Sequence, residues 1–321
     1  MSIEQSQLLE RVHQAVKTRY LSTKTESAYI NHIRRFLEFN GNSDFSVQRA
    51  EKISVFLEHL QKNEHLGASA QNQARCALMF FYRDVLGQKI PAHFEEIPRA
   101  RLPGKHSVVF TAEEIKAVLG KMRGAQYLIA ALLYGSGLRL SEAVRMRVRD
   151  IDFEQGEILV RHPRTGARER ATVLPRAITG KLRRHLTKVK FMHEDDCLLG
   201  FGRVFLPERI FRKTPGAAYE WEWQYVFPAG KLTRGKTTYS RHHLAESTVQ
   251  KAVSEAIEKA KIYKQGCCQS LRYSFAVRLF ERNYSVHTIH NLLGHKNLKT
   301  TMSYLNFDCI NGSIVLSPLD N

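Results

Sequence analysis

Residues 292–304 read LLGHKNLKTTMSY, and this stretch decides how the chain is read. Tyr304 offers a hydroxyl nine residues after His295, and Thr300-Thr301 reads as the start of the short helix that carries it. A phosphodiester attacked by a side chain passes through a pentacoordinate transition state. That state needs cationic donors on the non-bridging oxygens, a nucleophile in line and an acid for the leaving oxygen. The neighbouring segments contain these residue types. Gln269-Ser270-Leu271-Arg272 lies just upstream, and Gly135-Ser136-Gly137-Leu138-Arg139-Leu140-Ser141-Glu142 places a second arginine just before a helix N-terminus, where backbone amides also favour anions. Arginine suits a phosphate clamp because its planar fork donates bidentately and stays charged. Each residue alone is a weak signal; their order and spacing together are a strong one.

The rest of the chain agrees with a polyanionic partner. Its 321 residues carry 49 Lys and Arg against 31 Asp and Glu, a formal charge of +18, which points to nucleic acid ahead of an anionic membrane surface. The longest apolar run, Tyr127 to Tyr134, falls well short of the roughly 18 residues that a membrane span requires. Residues 1–5 include Glu4 and show no apolar signal core, so a cytoplasmic protein is expected. The five cysteines form no C-x-x-C pair and read as reduced thiols, with Cys267 and Cys268 as small buried residues. His242-His243 has no third ligand in register, so no metal is expected.

Working outward, residues 5–97 read as four short helices. Thr23-x-x-Glu26 fits a capping box, and Tyr29, Ile33, Phe36 and Leu37 then recur on one helix face. Two further apolar-periodic segments hold Ile53, Phe56, Leu57 and Leu60, then Ala77, Leu78, Phe80, Phe81 and Val85. Lys17, Arg19, Lys24, His32, Arg34 and Arg35 form a basic face on the first helix pair. Residues 98–106, with Pro98, Pro103, Gly104 and Lys105, read as a basic linker that would lie along phosphates. A second domain, 107–321, opens with a capping box at Thr111 to Glu114. It continues with an apolar helix from Gln126 to Tyr134, a β-hairpin of Phe153–Val160 with Arg170–Leu174, and helices at Ile178–Phe191 and Leu244–Ala260. Residues 200–243 read as irregular and aromatic-rich. The fold class expected is mainly α with a small β-sheet.

The motifs YGSGLRLSE (134–142), SLRYSFA (270–276) and LLGHKNLKTTMSY (292–304) resemble those of tyrosine site-specific recombinases of the phage integrase type. The resemblance covers essentially the whole chain, including YLSTKTESAYINHIRRFLEF at 20–39. It implies a two-domain clamp, with a helical N-terminal core-binding domain and an α+β catalytic domain. The segment GFGRVFLPERIFRKTPGAAYEWEWQYVFP (200–228) with Ser240-Arg241-His242-His243 looks like the insertion of the integron integrases. There the insertion packs against bases flipped out of a folded single-stranded site. Trp221 and Trp223, and also His242 and His243, are the candidates for that contact, because aromatic stacking is worth roughly 1–3 kcal/mol per base. Arg168 and Lys105 are further DNA-contact candidates.

Carried over residue by residue, the resemblance implies that Arg139 and Arg272 clamp the scissile phosphate and that His295 bonds the phosphate or the nucleophile. Tyr304 would attack to form a 3′-phosphotyrosyl link and free a 5′-hydroxyl. The link conserves bond energy, so no cofactor is needed. The family assembles as a tetramer on DNA. The tail 306–321 contains no Lys or Arg and has the apolar patch Ile314-Val315-Leu316, which fits docking on a neighbouring subunit.

Two positions depart from the family pattern. Gln269 stands where histidine is usual; its amide can donate to a phosphate oxygen but carries no charge and moves no proton. No lysine occurs between Lys121 and Lys181, so the hairpin-turn acid is replaced by Arg164 or, in another register, Arg168. Arginine keeps its proton and is a poor acid. Tyr273 and Leu305-Asn306 also depart from the pattern. The competing readings are a gene-cassette recombinase, a catalytically weakened DNA-binding paralogue, a type IB topoisomerase-like relaxing enzyme and, more distantly, a membrane-surface protein.

Overall fold

The apolar periodicity of the first ninety residues produces four helices: α1 (Ile3–Thr18), α2 (Thr23–Asn40), α3 (Ala50–Lys62) and α4 (Ala68–Phe80), the last running into a π-helical turn at Phe81–Val85. A computed structural model describes residues 3–19, 21, 23–41, 50–88, 108–163, 165–234 and 239–305. The chain divides into two units, Met1–Lys105 and His106–Asn321. In the first unit Ile33, Phe36, Leu37, Ile53, Phe56 and Leu60 are buried together with Leu78, Phe81 and Val85, as their spacing requires. His32 is a correction: it is buried, and desolvation lowers its pKa. It lies three residues after Tyr29 and four before Phe36, which puts it on the apolar face of α2 and not on a basic surface. Arg19 is exposed and pairs with Asp84, and Arg35 pairs with Glu64.

The second unit is built around a helix apolar on all sides. Its helices are α5 (Ala112–Gly120), α6 (Gly124–Gly135), α7 (Leu140–Arg145), α8 (Arg176–Leu198), α9 (Glu208–Lys213), α10 (Glu246–Lys259), α11 (Cys268–Glu281), α12 (Val286–Leu293) and α13 (Leu298–Tyr304). Six consecutive residues of α6, Leu128 to Leu133, are buried, because α8, α10 and α11 pack around it. The Thr111–Glu114 box forms at the start of α5. A three-stranded antiparallel sheet, β1 (Ile151–Asp152), β2 (Glu157–Arg161) and β3 (Arg168–Val173), runs in the order β1-β2-β3. The expected strand from Phe153 therefore begins later. Residues 153–156 make the turn from β1, and Gly156 at φ +68° closes it.

The helix bearing Tyr304 also starts earlier than its sequence predicts. Asn297, not the Thr300-Thr301 pair, caps α13, its Oδ1 accepting from the Lys299 amide, and Thr301 faces inward, fully buried. The segment read as irregular holds α9, short 3₁₀ turns at Pro215–Tyr219 and Trp221–Trp223, and a ribbon of β4 (Thr233–Arg234) with β5 (Tyr239–Ser240). No helix among the described residues is long and apolar enough to cross a membrane. The linker 98–106 with Lys105, the turn residue Arg164, the tail 306–321, and the side chains of Thr23 and Lys24 lie outside the described residues.

Candidate active site

Gly137 turns the chain between α6 and α7 in the left-handed region, at φ +61°. A Cβ there would stand 2.4 Å from the Phe275 ring, so only glycine lets α11 approach so closely. This contact brings Arg139, at the start of α7, to the arginine of α11. Arg272 is wholly buried. Its Nη1 donates to the Gly137 carbonyl (2.5 Å), and its Nη2 donates to the Leu293 carbonyl (2.7 Å) and to His295 Nε2 (3.1 Å). Burial, then the charge of Arg139, lowers its pKa to about 10, which leaves it cationic at neutral pH. Its Nε–H has no hydrogen-bond partner among the described residues, so one donor is still unused. Arg139 donates from Nη1 to Glu142 Oε1 (2.7 Å) and from Nη2 to the Gly294 carbonyl (3.1 Å).

His295 follows the α12 cap. Because its Nε2 accepts from Arg272, its Nδ1–H donates to Thr301 Oγ1 (2.9 Å), an oxygen that also lies 3.0 Å from His290 Nδ1. Burial and then Arg272 lower the His295 pKa to about 4, so the imidazole is neutral. Its ring meets that of Tyr304 edge to face with centroids 4.5 Å apart, and Tyr273 packs on Tyr304 at 4.2 Å. Tyr304 is 9% exposed, and burial raises its phenol pKa while Arg272 opposes the rise. The hydroxyl of Tyr304 accepts a hydrogen bond from Gln269 Nε2 at 2.6 Å. Gln269 and Arg272 stand three apart on α11, on one helix face. Gln269 therefore donates to the Tyr304 hydroxyl, where the sequence suggests a phosphate oxygen as its partner.

The structure thus brings Arg139, Gln269, Arg272, His295 and Tyr304 together. Two further residues, Glu142 and Arg170, join them, and the sequence motifs assign neither a role. Glu142 lies three residues after Arg139 and takes a half-buried position between arginines. Its carboxyl is held at about 2 against the cost of burial, first by its bonds to Arg170 and then by Arg139. Arg170, on β3, donates to both carboxylate oxygens (3.0 and 2.7 Å) and, through Nε, to the Leu292 carbonyl (2.8 Å). The acid at the third position of a helix that starts on an arginine was the available signal for Glu142. Three guanidinium groups against one carboxylate leave a net positive, largely dry pocket, which favours an anion.

Arg168 is exposed on the hairpin, opposite Arg161. Two aromatic residues of the insertion, Trp223 and Tyr225, build its own core, whereas Phe205, Phe211, Tyr219 and Tyr239 are exposed. Trp223 is 7% exposed, with the Arg149 guanidinium 4.2 Å above its ring, and packs with Tyr225, Val204 and Leu206. Trp221 is half-buried against the main core. His242 and His243 stack against each other (4.0 Å) and on Tyr225, and burial lowers both pKa values. Arg147 ties the insertion down by donating to the carbonyls of Trp223 (2.5 Å) and Phe205 (2.6 Å). A cavity of about 230 Å³ lies between the hairpin and the insertion, lined in part by Arg145, Arg161, His162, Trp223 and Tyr225.

Comparison with known proteins followed the same division. The model described as "Phage integrase family" matches residues 109–309, and "Phage integrase, N-terminal SAM-like domain" matches residues 8–92. An Escherichia coli "Integrase/recombinase" is 34% identical over 315 residues, covering 98% of this chain and 93% of its own. "Tyrosine recombinase XerA" of Thermococcus kodakarensis is 27% identical over 304 residues, covering 94% and 91%. Among solved structures, the XerH site-specific recombinase bound to difH substrate in a pre-cleavage complex aligns with a TM-score of 0.63 at 17% identity, covering 97% of this chain and 84% of that one. A lambda integrase dimer bound to a COC′ core site aligns with a TM-score of 0.62 at 17% identity, covering 94% and 77%.

Proposed function

Because the chain belongs to the phage integrase family of tyrosine recombinases, we propose that it cuts and rejoins DNA strands through Tyr304. The observation that carries this is the phenol of Tyr304 seated beside Arg272 and His295, with the Gln269 amide donating to its oxygen at 2.6 Å. Arg139 and Arg272 hold the non-bridging oxygens of the scissile phosphate, exchanging backbone carbonyls for a charged partner. The phenol oxygen attacks phosphorus, the bond to the 5′-oxygen breaks, the phenol proton passes to His295, and the leaving 5′-oxygen takes a proton from water to become the 5′-hydroxyl. The donated hydrogen bond from Gln269 favours the phenolate as it forms. Neutral His295, whose ring meets that of Tyr304 edge to face, serves as the base, its Nε2 lone pair free once Arg272 turns to phosphate. A cation of the hairpin turn, Arg164 or Arg168, stabilises the charge that develops on the leaving 5′-oxygen. Attack by another strand's 5′-hydroxyl reverses these steps.

Within the family we assign the chain to the integron integrases, acting on folded single-stranded and duplex recombination sites in gene-cassette integration and excision. It works as a tetramer assembled on DNA, from two domains joined by the 98–106 linker, with the tail 306–321 docking between subunits. The aromatic insertion over residues 200–243 and the cavity of about 230 Å³ beside the hairpin support this reading, since such a space takes a flat, flipped base. Trp221 and the His242–His243 pair are the stacking candidates with exposed surface; Trp223 serves by shaping the cavity. The missing lysine favours a slow enzyme, and a non-catalytic paralogue is the second reading. Covalent trapping on a nicked bottom-strand hairpin, beside the same site as duplex, tests both. A phosphotyrosyl adduct with the natural chain and none with Tyr304→Phe is expected, more on the hairpin. No adduct with either protein sinks the enzyme reading.

A further inference from the structure

Three consecutive carbonyls precede His295, and each is held by a different arginine. Arg170 takes that of Leu292 (2.8 Å), Arg272 that of Leu293 (2.7 Å) and Arg139 that of Gly294 (3.1 Å). These are the last carbonyls of α12, which lack intrahelical partners and carry the negative end of its dipole. The clamp arginines take Leu293 and Gly294; on the strand-breaking reading above, a phosphate competes for both. Arg170 is not placed on phosphate by that reading. Its side chain is 7% exposed, and all three of its nitrogens are committed within the protein, two of them to Glu142. Gly294 is shaped around it: at φ +62° it accepts the left-handed turn, and a Cβ there would lie 2.6 Å from Arg170 Cδ.

We propose that Arg170 is a positioning residue of the strand-cleavage reaction, resting on the recombinase reading above. It fixes the Glu142 carboxylate that aims Arg139, and it retains the Leu292 carbonyl when phosphate draws Arg139 and Arg272 away from the same turn. His295 therefore keeps its place at the moment the clamp engages DNA. Arg170 lies on β3 and so joins the hairpin to the turn before His295 through its bond to the Leu292 carbonyl.

Arg170→Met keeps much of the volume and removes every donor. Single-turnover adduct formation on a nicked duplex is compared with equilibrium binding of that duplex in the Tyr304→Phe background, below the melting temperature of each variant. The expected result is a rate lowered about a hundredfold with binding held within about threefold, the pattern of a displaced reacting group. Arg170→Lys recovers only part of the rate, because one ammonium cannot meet Glu142 and Leu292 together. Glu142→Gln with Arg170→Met in one chain costs less than the sum of the two single changes, since they share the Arg170–Glu142 contact. Hydrogen exchange gives a readout without chemistry: in Arg170→Met the 286–296 segment exchanges faster, while the unit of residues 1–105 is unchanged. A natural chain that forms no adduct overturns the recombinase reading, and the exchange measurement then decides the positioning claim by itself. A natural chain that cleaves, beside an Arg170→Met variant of equal rate and equal exchange, overturns the proposal alone. Equal losses of binding and rate overturn it as well.

Discussion

Replacing Gln269 by leucine removes the amide that donates to the Tyr304 hydroxyl at 2.6 Å while keeping a similar side-chain volume. The size of the effect follows from what the acceptor becomes. A hydrogen bond to a neutral phenol is worth about 1 kcal/mol, and one to a charged oxygen about 1.5–3 kcal/mol. Only the excess enters the barrier, because the phenolate charge develops only in the transition state. An excess of about 0.5–2 kcal/mol corresponds to a rate roughly 2- to 30-fold slower. Burial already raises the Tyr304 pKa, with Arg272 in opposition, so losing a phenolate-favouring donor pushes it further in the same direction. The assay is single-turnover adduct formation on a nicked suicide duplex, with binding followed separately in the Tyr304→Phe background. Gln269→His restores a donor and should meet or exceed the natural rate. A Gln269→Leu variant that cleaves at the natural rate would refute the assignment of the amide to the nucleophile. A variant that loses binding as steeply as rate would place Gln269 on the phosphate instead.

Glu142, with its carboxyl depressed to about 2 from 4.5, contributes stability that is present above pH ~4.5 and lost as pH falls towards 2. A depression of that size is worth about 3 kcal/mol, and urea midpoints measured through this window should fall more steeply for the natural chain than for Glu142→Gln. Gly294→Ala forces a side chain into a left-handed backbone at φ +62° and against Arg170; thermal denaturation should show a loss of about 1–3 kcal/mol. Trp221→Ala should weaken binding of a folded single strand by about 1–3 kcal/mol and spare duplex binding, as judged by gel-shift titration. Trp223→Ala, which empties the insertion's own core, should instead lower the melting temperature, at a cost of about 3–5 kcal/mol.

What the sequence alone determined is what short-range periodicity encodes. The faces of α2, α3 and α4, the box at Thr111 and Glu114, and the apolar helix before Gly137 depend on contacts within about four residues, and they were legible. The order Arg139, Arg272, His295, Tyr304 was legible as a motif, and so was the oddity of Gln269. The charge of His32 suggests a basic surface while its register puts it inside, and α13 starts at Leu298, two residues before the threonine pair that reads as its start. What only the tertiary structure decided are the partnerships across the chain. Arg170 meets Glu142 across 28 residues and Leu292 across 122, Arg139 meets Gly294 across 155, and Gln269 meets Tyr304 across 35. No local pattern distinguishes Arg170 from the exposed Arg168 two residues before it, or buried Trp223 from half-buried Trp221. Each pair is separated by the fold, because a charge or a ring is placed by the walls packed around it and not by its sequence neighbours.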